Sequence, residues 1–277
     1  MTLHPITDSN SLKNISYEIR KDILRMLAEA GSGHTGGSLG LADVFTCLYF
    51  AAMNHQPENP QWDQRDRLIL SIGHVAPVLY ATLAHAGYFP KEELKTLRQL
   101  GSRLQGHPGR DHGLPGLELS AGSLGQGLSV AVGMALAAKL NRQTHRIYCI
   151  LGDGELQEGS VWEAAMSAAH HHLDKIIAIV DRNQLQIDGK NSDVMEIEPL
   201  ADKWKSFGWI VTECDGNNHS EVLDAIAFCK KQENKPQLIL AHTKMGKGVK
   251  EIENDYHWHG KVPSKQQAED FILHLTK

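Results

Sequence analysis

The chain has 277 residues, 41% hydrophobic and 22% charged, with 25 Gly and 10 Pro, a balance that excludes a disordered tail or fibrous repeat and leaves a globular protein with a sizeable core. Its 28 Lys and Arg against 33 Asp and Glu give a net charge of −5, and the basic residues are scattered, so neither nucleic acid nor an anionic membrane surface has a platform; a small substrate is favoured. No apolar run approaches the roughly 20 residues of a membrane helix, and the first eight residues lack a basic segment followed by an apolar one, so the expected location is the cytoplasm. The four cysteines, Cys47, Cys149, Cys214 and Cys229, are far apart and form no C-x-x-C, which predicts buried free thiols rather than a disulfide or zinc site.

In chain order, Ile15, Ile19, Ile23, Leu24 and Leu27 recur at helical spacing over 11–30, and Leu41, Val44, Phe45 and Leu48 do so over 41–53, predicting two amphipathic helices. A short apolar run at 67–71 reads as a strand ending at Gly73-His74, followed by a helix to about residue 86. Residues 101–127 are Gly- and Pro-rich, and 128–140 read as a helix whose Ala131, Gly133, Ala135, Ala137 and Ala138 allow a neighbouring backbone to approach closely. Strands at 147–151, 176–180, 210–213 and 238–241 then alternate with helices at about 157–171, 199–207 and 220–231, and a terminal amphipathic helix is expected over 266–277. With no repeat or linker, the expectation is one domain over 1–277: an α/β fold with a mostly parallel sheet flanked by helices on both faces. In such sheets ligands bind beyond the carboxyl ends of the strands.

Gly152-Asp153-Gly154-Glu155 ends one predicted strand, and Asp181-Arg-Asn183-Gln-Leu185 ends the next, with Asn183 thirty residues after Asp153. The intervening helix is long enough for a parallel crossover, so both side chains reach one sheet edge. A carboxylate, an amide oxygen and the Leu185 carbonyl are three hard oxygen ligands, leaving Mg²⁺ its remaining positions for phosphate oxygens and water. Gly152 and Gly154 keep the turn narrow, so that backbone N–H groups and a following helix N-terminus can meet the phosphate. G-D-G alone is an ordinary tight turn; the paired Asn183 turns the balance toward a metal-diphosphate site.

The combination resembles the thiamine diphosphate-binding motif, and the segment Leu151-Gly-Asp-Gly-Glu-Leu-Gln-Glu-Gly-Ser-Val-Trp-Glu163 resembles the transketolase branch. Ser32-Gly-His34, Gly36-Gly-Ser-Leu-Gly40, Gly73-His74, Gly106-His107-Pro108, Gly122-Ser-Leu-Gly-Gln-Gly127 and Trp258-His259-Gly260 extend the likeness over nearly the whole chain. The resemblance implies that Asp153, Asn183 and the Leu185 carbonyl hold Mg²⁺. It also implies that Gly154, Glu155 and Asn183 stand at the diphosphate with His74, and that Gly122, Ser123 and Leu124 form a loop against the cofactor, Leu124 beneath its aminopyrimidine ring. An apolar side chain suits a flat ring, although plain core packing would also place a leucine there.

His34, His107 and His259, among 16 histidines, match residues that in transketolases handle hydroxyl protons around donor and acceptor carbonyls, a task suited to imidazole. His257 is read as a neighbour of His259, and His170-His-His172 as a solvated helix end, since adjacent helical residues diverge. Glu158 matches an acidic residue of a carboxylate network joining two active sites across a dimer interface; a surface ion pair is the plain alternative. One departure stands out. Related sequences often carry a cofactor-contacting Lys directly before the first Gly of Lys244-Met245-Gly246-Lys247-Gly248, where this chain has Met245; Lys244 is the candidate replacement.

In this family the glutamate that activates the cofactor belongs to a separate pyrimidine-binding domain, and no second α/β pattern is read after Trp258-His259-Gly260. The resemblance therefore implies an N-terminal subunit of a split transketolase. It would assemble with a C-terminal subunit as two of each and transfer a two-carbon ketol unit from a ketose phosphate to an aldose phosphate, by default in the pentose phosphate pathway. The alternatives are a subunit of another thiamine diphosphate enzyme, of 2-oxoacid decarboxylase or synthase type, and a non-catalytic cofactor-binding module.

Overall fold

The structure, a computed structural model, describes residue 6 and residues 8–276; most of the N-terminal stretch read above for a leader, and the last residue of the predicted terminal helix, lie outside the described residues. Strands in chain order are β1 (Arg67–Leu70), β2 (Ile147–Gly152), β3 (Ile176–Asp181), β4 (Leu185–Gln186), β5 (Gly189–Lys190), β6 (Ile210–Asp215) and β7 (Gln237–His242). Helices are α1 (Ser9–Ala30), α2 (Gly36–Gly40), α3 (Ala42–Cys47), α4 (Ala76–His85), α5 (Gly127–Leu140), α6 (Gly159–His170), α7 (Asn191–Val194), α8 (Leu200–Ser206), α9 (His219–Lys230) and α10 (Lys265–Leu273). Five strands pair in parallel in the order β1-β2-β3-β7-β6, while β4 and β5 form a small antiparallel hairpin.

The inner strands β2, β3 and β7 are apolar on both faces because each face is covered. Tyr148, Ile150, Ile177, Ile179 and Ile239 pack into one core with residues of α1, α3, α4, α9 and α10, whereas Cys149, Leu151, Ala178, Val180, Leu238 and Leu240 pack into a second with α5, α6 and α8. Successive strand residues thus alternate between two cores, as the period of two requires. Each fully buried Ile or Leu contributes about 1.5–3 kcal/mol. The expected α/β fold with helices on both faces is the one observed, and all four cysteines are buried and free.

Local chemistry sets the element ends. Asp8 caps α1 by accepting from the Asn10 and Ser11 N–H groups, and Gly31 closes it at φ 65°, a left-handed value that costs glycine little. The helix expected over 41–53 is instead α3 followed by a π-helical turn, Leu48–Ala52, in which the Met53 N–H reaches back to the Leu48 carbonyl. Arg20 on α1 locks this region: its guanidinium grips both Asp43 oxygens, at 3.0 and 2.6 Å, and its Nε donates to the Leu39 carbonyl. The helix expected from about 157 begins at Gly159, after a 3₁₀ turn over Gly154–Gln157.

Candidate active site

The carboxyl tips of β1, β2, β3 and β7 lie side by side. Gly152 is in register with Asp181, and Asp181 with Ala241; beyond them the chain turns into Gly73-His74, the Asp153 turn, the Asn183 loop and Thr243-Lys-Met245. These turns, with His34, His107, Leu124 and His259 from the loops above, enclose a cavity of about 360 Å³, within the size range of small-molecule sites.

The β2 and β3 tips are stitched together at Asp153, which is 1% exposed. Its Oδ2 accepts from the Gln184 N–H at 2.6 Å and from Arg182 at 3.0 Å, and its Oδ1 from the Gly154 N–H at 2.8 Å; Arg182 also pairs with Glu198. Asn183 is held at both ends of its amide, donating to Asp181 Oδ2 at 2.9 Å and accepting from the Leu185 N–H at 2.9 Å. Asp181 in turn accepts from the Thr243 hydroxyl. Burial raises the pKa of Asp153, and it pushes Asp181 up to about 7, so the floor of the cavity holds carboxyl groups that a bound cation would stabilise as anions.

The N–H groups of Gly152 and Gly154 are each taken by a carboxylate, that of Glu155 at 3.2 Å and that of Asp153 at 2.8 Å. The turn's own acids satisfy it. Glu155 was grouped with the cofactor-binding residues; it borders the cavity, yet its oxygens accept from the Ser71 hydroxyl, the Gly125 N–H at 2.7 Å and the Gly152 N–H. It therefore ties the Gly122–Leu124 loop to the β2 turn. Gly125, at φ 80°, permits that contact: a Cβ there would lie 2.8 Å from Glu158 Cβ.

The histidines form a cluster. His34 stands with its ring 5.0 Å from His74, 6.4 Å from His107 and 5.6 Å from His259, and His74 is 5.1 Å from His259. Burial lowers the pKa of all four, to about 4 for His34 and about 3 for His74, so His34 and His74 are neutral imidazoles at pH 7. His34 Nδ1 and His259 Nδ1 are buried without a partner, leaving them open to a ligand. His257 faces away and pairs with Asp255 at 2.7 Å.

Leu124, Gly122, Glu158 and Leu185 line the cavity with the residues above. Glu158 is exposed at its edge. Ser123 is exposed and outside the lining. Lys244 is likewise outside: its side chain borders a neighbouring cavity with Arg182 and Asn191, while buried Met245 lines the site. Sequence reasoning gave no role to Asp181, Arg182 or Thr243, which brace the Asp153 and Asn183 side chains. Asp181 had a signal, a carboxylate at the end of an otherwise apolar strand; the other two had none.

A parallel sheet whose strand tips pair an Asp-bearing glycine turn with an asparagine loop, under a roof of neutral imidazoles, is the arrangement of a thiamine diphosphate-binding enzyme domain. The family described as the transketolase thiamine diphosphate-binding domain matches residues 12–271, and the chain belongs to it. The chain is 44% identical over 266 residues to the 6-deoxy-6-sulfo-D-fructose transketolase subunit of Clostridium sp. (strain MSTE9), covering 96% of each. It is 40% identical to an apulose-4-phosphate transketolase subunit of Phocaeicola vulgatus, covering 95% of this chain and 92% of that one. The crystal structure of transketolase from Campylobacter jejuni superposes with a TM-score of 0.89 at 35% identity, over 96% of this chain. The chain spans 43% of the length of that solved transketolase.

Proposed function

We propose that this chain is the diphosphate-binding subunit of a two-subunit transketolase, completed by a separate chain that carries the pyrimidine-binding domain. The observation that carries the reading is the junction of β2 and β3, where Asp153 and the Asn183 loop share a hydrogen bond and present oxygen ligands to one cavity. Among the described residues no three His, Cys, Asp or Glu side chains are grouped to hold a metal, so the cation would rest on the mixed set of Asp153, the Asn183 amide and the Leu185 carbonyl. That set suits Mg²⁺, which takes few protein oxygens and fills its shell from phosphate and water. The residues fit the group: an acidic floor needs a cation, and unpartnered imidazole nitrogens above it need a polar ligand.

When bound, thiamine diphosphate supplies a nucleophilic carbon that carries the two-carbon unit. The chain's own residues do the rest. Leu124 gives the cofactor an apolar surface, with Gly122 beside it, and Gly154 keeps the diphosphate end unobstructed. His34 and His259, half-buried, and His107, exposed at the rim, accept or donate hydrogen bonds to sugar hydroxyls and exchange protons with them. His74 packs against His34 and His259 and fixes their placement. Glu158, at the edge of the cavity, faces the neighbouring subunit. The outer side of α5 and α6 supports such an assembly: Gly133, Ala137, Leu140 and Met166 are exposed on helices with few charges, a surface suited to burial against another chain. Two copies of each chain are the simplest symmetric form.

Relatives named as subunits and matched nearly end to end support the split arrangement, and the matched family favours ketol transfer over 2-oxoacid chemistry. No helix among the described residues is long and apolar enough to cross a membrane, in keeping with a cytoplasmic enzyme. The test is reconstitution. The chain alone should show negligible ketol transfer, and the chain with its partner, thiamine diphosphate and Mg²⁺ should turn over a ketose donor. The donor panel should include pentulose and hexulose phosphates and a 6-sulfo-ketose, because the relatives carry such substrates in their names. Robust activity of the isolated chain, or turnover of pyruvate alone, would overturn the reading.

A further inference from the structure

Arg98 has a φ of 60°, a left-handed backbone value that favours glycine and is uncommon for a long side chain. Its own N–H donates to the Leu104 carbonyl at 2.8 Å, and its guanidinium lies between the two turns that carry His34 and His107. A Cβ on Gly106 would stand 2.6 Å from Arg98 Cζ, and one on Gly33 would stand 3.8 Å from Arg98 Nε. Glycine at 106 thus clears the room in which the cation sits. The charge is felt by both imidazoles, since after burial it contributes to the lowered pKa of His34 and of His107. Arg98 is exposed, and among the described residues its guanidinium has neither a hydrogen bond nor an ion pair. Nearby Arg103, by contrast, is paired with Glu93 at 2.7 Å.

We infer that Arg98 is a specificity-determining residue, whose guanidinium receives the anionic terminal group of the sugar substrate. This rests on the ketol-transfer reading above and deepens it by naming what holds the far end of the sugar. A strained backbone is kept where function requires it, and a cation that answers no carboxylate of its own chain is placed for an external anion. A ketose engaged through its hydroxyls by His34 and His259 leads outward past His107, which is exposed at the rim, and brings its last carbon toward the guanidinium. Asp153 and Asp181 lie buried in the floor of the cavity, so the charged end of the sugar is steered to the rim and the uncharged end inward. The planar fork of N–H donors suits a tetrahedral oxyanion, phosphate or sulfonate alike.

The test measures ketol transfer by the assembled, cofactor-loaded protein from fructose 6-phosphate, 6-deoxy-6-sulfo-D-fructose and D-fructose, with glycolaldehyde as a common uncharged acceptor, for wild type, Arg98→Gln and Arg98→Lys. Wild type should favour a charged donor over D-fructose. In Arg98→Gln the ratio of kcat/KM for that donor to kcat/KM for D-fructose should fall on the order of 10- to 100-fold, the effect of a hydrogen bond to a charged group, and the fall should lie mainly in KM. Arg98→Lys should restore part of it, keeping the charge without the fork. A fall for the phosphate, the sulfonate or both supports the inference and identifies the group bound. An unchanged ratio for both charged donors would overturn it while leaving ketol transfer standing. So would an equal loss with D-fructose, which marks a role in holding the His34 and His107 turns. A wild-type assembly that transfers from none of the three donors would overturn both this inference and the reading beneath it.

Discussion

Replacing Glu155 by Ala removes one acceptor from three donors at once: the Ser71 hydroxyl and the Gly125 and Gly152 N–H groups. All are at a side chain 2% exposed, so water reaches them poorly. Each backbone N–H left unpaired costs about 1–3 kcal/mol. The Ser71 oxygen still accepts from the Gly127 N–H at 3.0 Å, but its own proton loses its acceptor. Together these predict a loss of about 3–5 kcal/mol for Glu155→Ala, the range for breaking a buried charged network. Glu155→Gln keeps one acceptor oxygen but turns an NH₂ toward a donor, and should cost about 1–3 kcal/mol. The assay is equilibrium guanidinium unfolding at a fixed protein concentration and fixed oligomeric state, because assembly shifts apparent stability. Because Glu155 anchors the Gly122–Leu124 loop, thiamine diphosphate affinity should fall in the same order as stability. Glu155→Ala unfolding within about 1 kcal/mol of wild type would refute the clamp, since no pairing of the freed donors with water should recover so much.

Removing one partner of the buried Arg20–Asp43 pair with Arg20→Met should cost about 3–5 kcal/mol by leaving Asp43 uncompensated, read by the same unfolding assay; a cost below about 1 kcal/mol would contradict the geometry. His34 and His74 imidazole resonances should stay in their neutral form from pH 8 down to about pH 5, and an NMR titration centred near 6.5 at either would sink the depressed pKa values. Between about pH 3 and 6.5 the unfolded chain binds a proton at residue 74 that the folded chain does not, so stability at this site rises with pH. The stability of wild type minus that of His74→Asn should therefore grow across that window and level off above it. Asp181→Asn should release Asn183 and weaken thiamine diphosphate binding about tenfold, at a stability cost of about 1–3 kcal/mol, because its new NH₂ faces a buried donor that the carboxylate accepted. Undiminished affinity in calorimetry would show that Asn183 needs no such support.

The sheet was legible because its strands are buried on both sides: runs such as Ile176-Ile-Ala-Ile-Val180 admit few alternatives once flanked by helical periods. The pairing of Asp153 with Asn183 was legible for the same reason, since a parallel crossover returns both to one edge. What escaped were features set by contacts between distant segments. The β4–β5 hairpin is too short for a period to register, and the break after α3 depends on a π-helical turn packed against α9. Lys244 and Met245 could not be ordered from composition; the course of the turn after β7 decides which meets the cavity. Glu155 was placed at the site, but its role follows from Gly125 and Ser71, 30 and 84 residues away in the chain.

The most direct measurement is calorimetric titration of thiamine diphosphate with Mg²⁺ into the assembled protein, comparing wild type with Asp153→Ala and Asn183→Ala. Affinity should fall on the order of 100-fold or more in each variant, beyond the 10- to 100-fold expected of residues that only support a metal ligand. Wild-type affinity in either one would contradict the proposal that the β2 and β3 tips together hold the metal-bound diphosphate.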